Sequence, residues 1–80
     1  MARHNLKTWP EYFNGIVSGA KTFEVRKNDR GFNVGDTLIF EEYNPENFEY
    51  TGRQWMATVS YLLPGGQFGI AVDYCVMGLR

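Results

Sequence analysis

Gly19-Ala20-Lys21-Thr22-Phe23-Glu24-Val25-Arg26-Lys27-Asn28-Asp29-Arg30 alternates apolar and polar side chains with the period of two that belongs to a β-strand. The alternation puts Phe23 and Val25 on one face and Thr22, Glu24 and Arg26 on the other. Lys27-Asn28-Asp29-Arg30-Gly31 then supplies the turn chemistry that ends the strand. A strand that carries two cations and a carboxylate, with more charge at its end, suits an anionic, hydrogen-bonding ligand such as a nucleic acid or nucleotide.

Upstream of this strand the reading is helical. Thr8 is in place for an N-cap, with Trp9 and Pro10 opening the first turn and Glu11 where the helix dipole favours an acid. Trp9, Phe13, Ile16 and Val17 recur at helical spacing as one buried stripe, and Gly19 closes the helix. Trp9 reads as a core residue beneath the helix or, if exposed, as a platform on which a base could stack. Residues 1–7 read as a short extended segment. His4 and Lys7 there read as surface residues or, in a binding site, as a hydrogen-bonding and a phosphate-contacting group at a cleft rim.

Downstream, Val34-Gly35-Asp36 turns into a strand over 37–43, and a polar loop with Pro45 leads to a long strand over 53–63. In that strand Trp55, Ala57, Val59 and Tyr61 share one face. Pro64-Gly65-Gly66 turns again, and a last strand over 72–79 turns Cys75, Met77 and Leu79 to one side. One helix and about four strands make a mixed α+β domain that is mainly β. A sheet this short is expected to curl into a small β-barrel with the N-terminal helix packed against it.

Composition sets the outer bounds. Eighty residues make a single domain, 1–80, whose aromatic content of 16% helps a small core. The net charge of −1 argues against a protein wrapped in nonspecific positive field, yet six of the eight cations fall in the first thirty residues. The acids Glu41, Glu42, Glu46 and Glu49 cluster later, a segment that leaves a protein partner open. One Cys and one His cannot assemble a zinc set, and no disulfide is possible within the chain. No cofactor motif is visible. Without a signal-peptide pattern or a membrane-length apolar run, the expected location is the cytoplasm, away from membranes.

His4-x-Leu6-Lys7, Tyr12-Phe13, Gly19-x-Lys21-Thr22-Phe23-Glu24-x-Arg26-Lys27-Asn28-Asp29-Arg30, Phe32-x-Val34-Gly35-Asp36 and Glu42-Tyr43 together resemble the DUF3850 family of the ASCH/PUA-like superfamily. The Tyr50-Thr51-Gly52-Arg53 block and the closing Tyr74-x-Val76-Met77-x-Leu79 strand are similar to it as well. The resemblance implies a PUA-like barrel, an RNA-binding cleft beside the helix, and an origin in bacteria or their phages. On that basis Lys7, Lys21, Glu24, Arg26 and Arg30 are the expected nucleic-acid-binding residues. Lys21, Arg26 and Arg30 would neutralise phosphate, Lys7 would help at the rim, and Glu24 would meet a base edge or fix Arg26.

One branch of the same superfamily comprises small amidohydrolases that deacetylate acetylcytidine. Its catalytic set is a Lys, a Thr three residues later and a distant Glu. Here Lys21 matches, Glu24 stands at the nucleophile position, and the last third of the chain offers only Asp73 as an acid. An enzymatic reading therefore falls back on Lys21 as base, Thr22 as nucleophile and Glu24 as orienting acid. It is the alternative to the RNA-binding reading.

Overall fold

The computed structural model describes residues 1–80. It runs β1 (Arg3–Thr8), α1 (Pro10–Ser18), β2 (Phe23–Lys27), β3 (Thr37–Asn44), β4 (Glu49–Pro64) and β5 (Tyr74–Leu79). The five strands form one sheet in the order β1-β3-β4-β5-β2. β1 lies parallel to β3, with α1 in the crossover between them, and every other neighbouring pair is antiparallel.

The chain is thus mainly sheet with one short helix, but the sheet is open. A closed barrel would need β1 and β2 to pair, and these two end strands share no backbone ladder. Side chains span the gap instead. Arg26 Nη2 donates to the Lys7 carbonyl at 2.6 Å and Arg30 Nη1 to the Asn5 carbonyl at 2.7 Å. The seam between β1 and β2 is therefore tied by guanidinium groups that a ladder would have left free.

The core sits between α1 and the facing side of the sheet. Phe13 and Ile16 come from the helix, Leu6 from β1, Leu38 and Phe40 from β3, Ala57 and Val59 from β4, and Cys75 and Met77 from β5. The loop residue Phe32 completes it. Cys75 is the small core residue its position in an apolar strand suggests, and burial pushes its thiol pKa up.

β4 serves two partners, β3 along its first part and β5 along its last. The register shifts between Val59 and Tyr61, so the alternation changes phase there. Ala57 and Val59 point inward, but Tyr61 is 67% exposed and does not continue their face as the uninterrupted period predicts.

The helix begins one residue later than the sequence suggests. Trp9 is the N-cap, Pro10 occupies the first turn, and no side chain caps the start. Thr8 ends β1, with its hydroxyl bonded to the Leu6 carbonyl. Because Trp9 lies outside the helical stripe it is 52% exposed rather than buried. At the other end Gly19, at φ 83°, returns its N–H to the Ile16 carbonyl. The return is close: Lys21 N–H donates to the Gly15 carbonyl at 2.8 Å, and a Cβ on residue 15 would stand 3.2 Å from Lys21 Cβ. Gly15 costs helix propensity, and it leaves room for the stem of Lys21.

His4 is not a rim residue. It is buried, its Nε2 lies 2.9 Å from Asp36 Oδ2, and its ring meets Phe32 edge-on at 4.7 Å. Asp36 also accepts the backbone N–H groups of Ala2 and Asn33. The hydrogen bond with His4 is the largest influence holding the Asp36 carboxyl below its ordinary range; burial works against it, and the two backbone donors and the imidazole charge add to the lowering.

Candidate functional site

β2 carries its alternation the opposite way round from an ordinary half-buried strand. Its antiparallel register pairs Glu24 with Met77 and Arg26 with Cys75, and cross-strand partners share a face. Since Met77 and Cys75 face the core, Glu24 and Arg26 must turn inward with them. Glu24 is 5% exposed, while Phe23 and Val25 are about half exposed on the outside. The polar residues are therefore not a solvated strand face.

Glu24 is held between two cations. Oε1 accepts from Lys21 Nζ at 2.7 Å, and Oε2 accepts from Arg26 Nε at 2.6 Å. A carboxylate this buried is tolerable only with such charged, directional partners. It also fixes both cations in place. Lys21 Nζ makes a second bond to the Phe23 carbonyl, leaving one of its three N–H groups unused. Arg26 spends Nη2 on the Lys7 carbonyl and, at 3.5 Å, on the Thr8 hydroxyl, while Nη1 has no acceptor in the protein. Each cation thus keeps a donor for a ligand.

These groups open onto a groove of about 460 Å³ between the start of α1 and β2. Its polar lining is Lys7, Thr8, Lys21, Glu24 and Arg26; its apolar lining is Trp9, Tyr12, Phe23 and Val25. Trp9 and Tyr12, three residues apart, stand together at the beginning of the helix. Lys7 has no carboxylate partner, and its ammonium lies 4.3 Å from the centroid of the Tyr43 ring. A volume of this size, with apolar walls and a few convergent polar groups, is of the kind that takes a small organic ligand.

The structure thus brings together four of the five residues expected to bind nucleic acid, Lys7, Lys21, Glu24 and Arg26. Arg30 lies beyond Arg26, in a second cavity of about 340 Å³ with Lys27, Asp29 and Tyr74. Asn28 serves the turn, its side chain accepting the Phe32 N–H. Of the residues an enzyme would use, Lys21 and Glu24 meet in the groove, whereas Thr22 is exposed and is not part of its lining. Thr8, Tyr12 and Val25 also line the groove, and the sequence reading gave none of them a binding role. The spacing of Tyr12 from Trp9 is the signal that could have found it.

Elsewhere, buried Glu42 accepts from the Thr51 hydroxyl at 2.7 Å and from Arg53 Nη1 at 3.4 Å. This positions Arg53 over the Phe13 ring, 4.9 Å from guanidinium carbon to centroid. Glu46 and Glu49 are exposed at the β3–β4 turn. No three His, Cys, Asp or Glu side chains converge as a metal site would require. No helix is long and apolar enough to cross a membrane.

Fold and groove define a small sheet-rich domain whose site is an aromatic, cation-lined groove at an open sheet seam. The sequence profile of the family described as "Domain of unknown function (DUF3850)" matches residues 3–79, and the chain belongs to that family. A relative from Escherichia phage P2, an uncharacterized 12.9 kDa protein in the GpA 3' region, is 39% identical over 57 residues. The match takes in 71% of this chain and 50% of the relative, so the chain spans about half that protein's length.

Proposed function

We propose that this chain is an ASCH/PUA-like domain that binds single-stranded RNA in the groove between α1 and β2. The observation that carries the reading is the exposure of Trp9, Tyr12 and Phe23 around the fixed Lys21–Glu24–Arg26 triad. Single strands are gripped by stacking bases on aromatic side chains while cations track the phosphates. The half-exposed aromatics supply the first element, and Lys7, Lys21 and Arg26 the second. Glu24 acts through the cations it orients, since both of its oxygens are already engaged.

The size of the groove favours a base with its sugar over a duplex, and the net charge of −1 favours a small footprint. An open sheet bridged by side chains at one seam is compatible with a PUA-like barrel that parts where the ligand enters. The hydrolase reading is less well supported. It has Lys21 and Glu24 in contact, but Thr22 stands outside the lining, and the threonine hydroxyl that does line the groove, on Thr8, is bonded to the Leu6 carbonyl.

The test uses a W55F variant, in which Trp9 is the one remaining tryptophan. Short single-stranded RNA should quench its fluorescence, with log K falling against log salt at a slope of about −2 for three phosphate contacts. Absence of quenching, together with unmoved amide resonances at Trp9, Tyr12 and Phe23, would overturn the proposal. Release of acetate from acetylcytidine, abolished in Lys21→Ala, would replace it with the hydrolase.

A further inference from the structure

The second cavity adjoins the groove. Glu24, Val25 and Arg26 belong to the walls of both, so the two spaces lie on either side of the Arg26 side chain where it reaches across to β1. Their chemistry differs. The groove has three aromatic rings, whereas the second cavity adds Lys27 and Arg30 to Arg26 and has one exposed ring, Tyr74.

The cations of the second cavity are only lightly committed. Lys27 Nζ stands 4.0 Å from Asp73, a pair that is more than half exposed on both sides. Arg30 Nη1 donates to Asn5, its Nε lies 3.7 Å from Asp29, and its Nη2 has no acceptor. Asp29 and Asp73, both more than half exposed, offset part of this charge, and Glu24 is shared between Lys21 and Arg26, so the four cations Lys21, Arg26, Lys27 and Arg30 still outnumber the three carboxylates. Guanidinium groups with free N–H donors beside an ammonium suit a phosphodiester, whose one negative charge is shared by two accepting oxygens.

The geometry points to a phosphate subsite at Lys27 and Arg30, continuous with a base subsite at Trp9, Tyr12 and Phe23. The ligand class is then a strand of at least two nucleotides whose backbone crosses Arg26, and not a free nucleoside. A nucleoside fills the groove alone and leaves the second cavity without its anion. This inference rests on the nucleic-acid reading of the groove and adds to it the minimum length and the course of the strand.

The experiment compares each of the four ribonucleosides with dinucleoside monophosphates carrying the same base, by titration of isotope-labelled protein. The dinucleotide should bind at least tenfold tighter, with amide shifts extending from Trp9, Tyr12 and Phe23 to Lys27, Arg30 and Tyr74. The ratio of the two affinities should fall towards one in Lys27→Gln and in Arg30→Gln. Because Arg30 also ties the seam, Lys27→Gln decides the question if Arg30→Gln does not fold. Equal affinities with shifts confined to the groove would overturn the phosphate subsite and leave the groove reading standing. Silence from every ligand would overturn both.

Discussion

Arg26 Nη2 donates to the main-chain carbonyl of Lys7 at 2.6 Å, so a side chain joins the two end strands of the sheet. The same guanidinium holds Glu24 through Nε at 2.6 Å. One residue therefore secures both the seam and the buried charge of the groove. Arg26→Ala removes the tie and leaves Glu24 with Lys21 as its single cationic partner. Hydrogen bonds to charged groups contribute about 1.5–3 kcal/mol each, so the expected loss is about 2 kcal/mol or more by urea denaturation. Lys27→Ala, which breaks only the long exposed pair with Asp73, should change stability by less than about 0.5 kcal/mol. Equal effects from the two variants would show that the Arg26 contacts add nothing to the fold.

Trp9 and Phe13 sit on the same short segment and should behave in opposite ways. Phe13 is 1% exposed in the core, and truncation to Ala should cost about 3–5 kcal/mol, enough to unfold much of an 80-residue domain. Trp9 is half exposed in the groove, so Trp9→Ala should leave the melting temperature nearly unchanged. Loss of one stacked base contact, about 1–3 kcal/mol, should weaken RNA binding roughly tenfold. Thermal melts and titrations on the same samples check both halves. A Trp9→Ala protein that melts far lower yet binds as before would assign Trp9 to the fold.

Much of the fold was legible because its signals are local. Pro10 and Gly19 bracket the helix, the Val34-Gly35-Asp36 turn leads into the strand over 37–43, and Cys75 and Met77 fall on the inward side of the last strand. What escaped the sequence was set at a distance. The inward turn of Glu24 is dictated by its register with Met77, and the outward turn of Tyr61 by a register shift within β4. His4 finds Asp36 thirty-two residues away, which no local pattern announces. The site shows the same division. Lys21, Glu24 and Arg26 stand out by type and spacing in one short stretch, β2 and the residues just before it, whereas Thr8 and Tyr12 join them only because α1 folds back beside β2.

Asp36 sets an acid limit to stability. Its carboxyl titrates below the ordinary value of 3.8 in the folded protein, chiefly because of the hydrogen bond with His4. A carboxylate whose folded pKa is lowered stabilises fully above its unfolded value and loses that contribution as pH falls through the folded value. The urea midpoint should therefore drop as pH is lowered from about 5 to about 2.5. Asp36→Asn should start from a lower midpoint at neutral pH and fall less steeply over the same window. An unchanged steepness would assign the acid limb to other carboxylates.

Cys75 reports on opening of the core. Its side chain is fully buried, and burial raises the thiol pKa above the ordinary value, so burial limits both access to the sulfur and formation of the reactive thiolate. Native protein at pH 8 should resist a disulfide-exchange reagent, and labelling should begin only as denaturant opens the structure. Because Cys75 pairs with Arg26 across β2 and β5, its reaction also senses the strand that carries the groove. Arg26→Ala should then speed labelling under native conditions by at least the tenfold that about 1.4 kcal/mol of lost stability implies. A labelling rate unchanged by that substitution would mean that β2 and β5 open independently of the seam, and that Arg26 ties only the outer edges of the sheet.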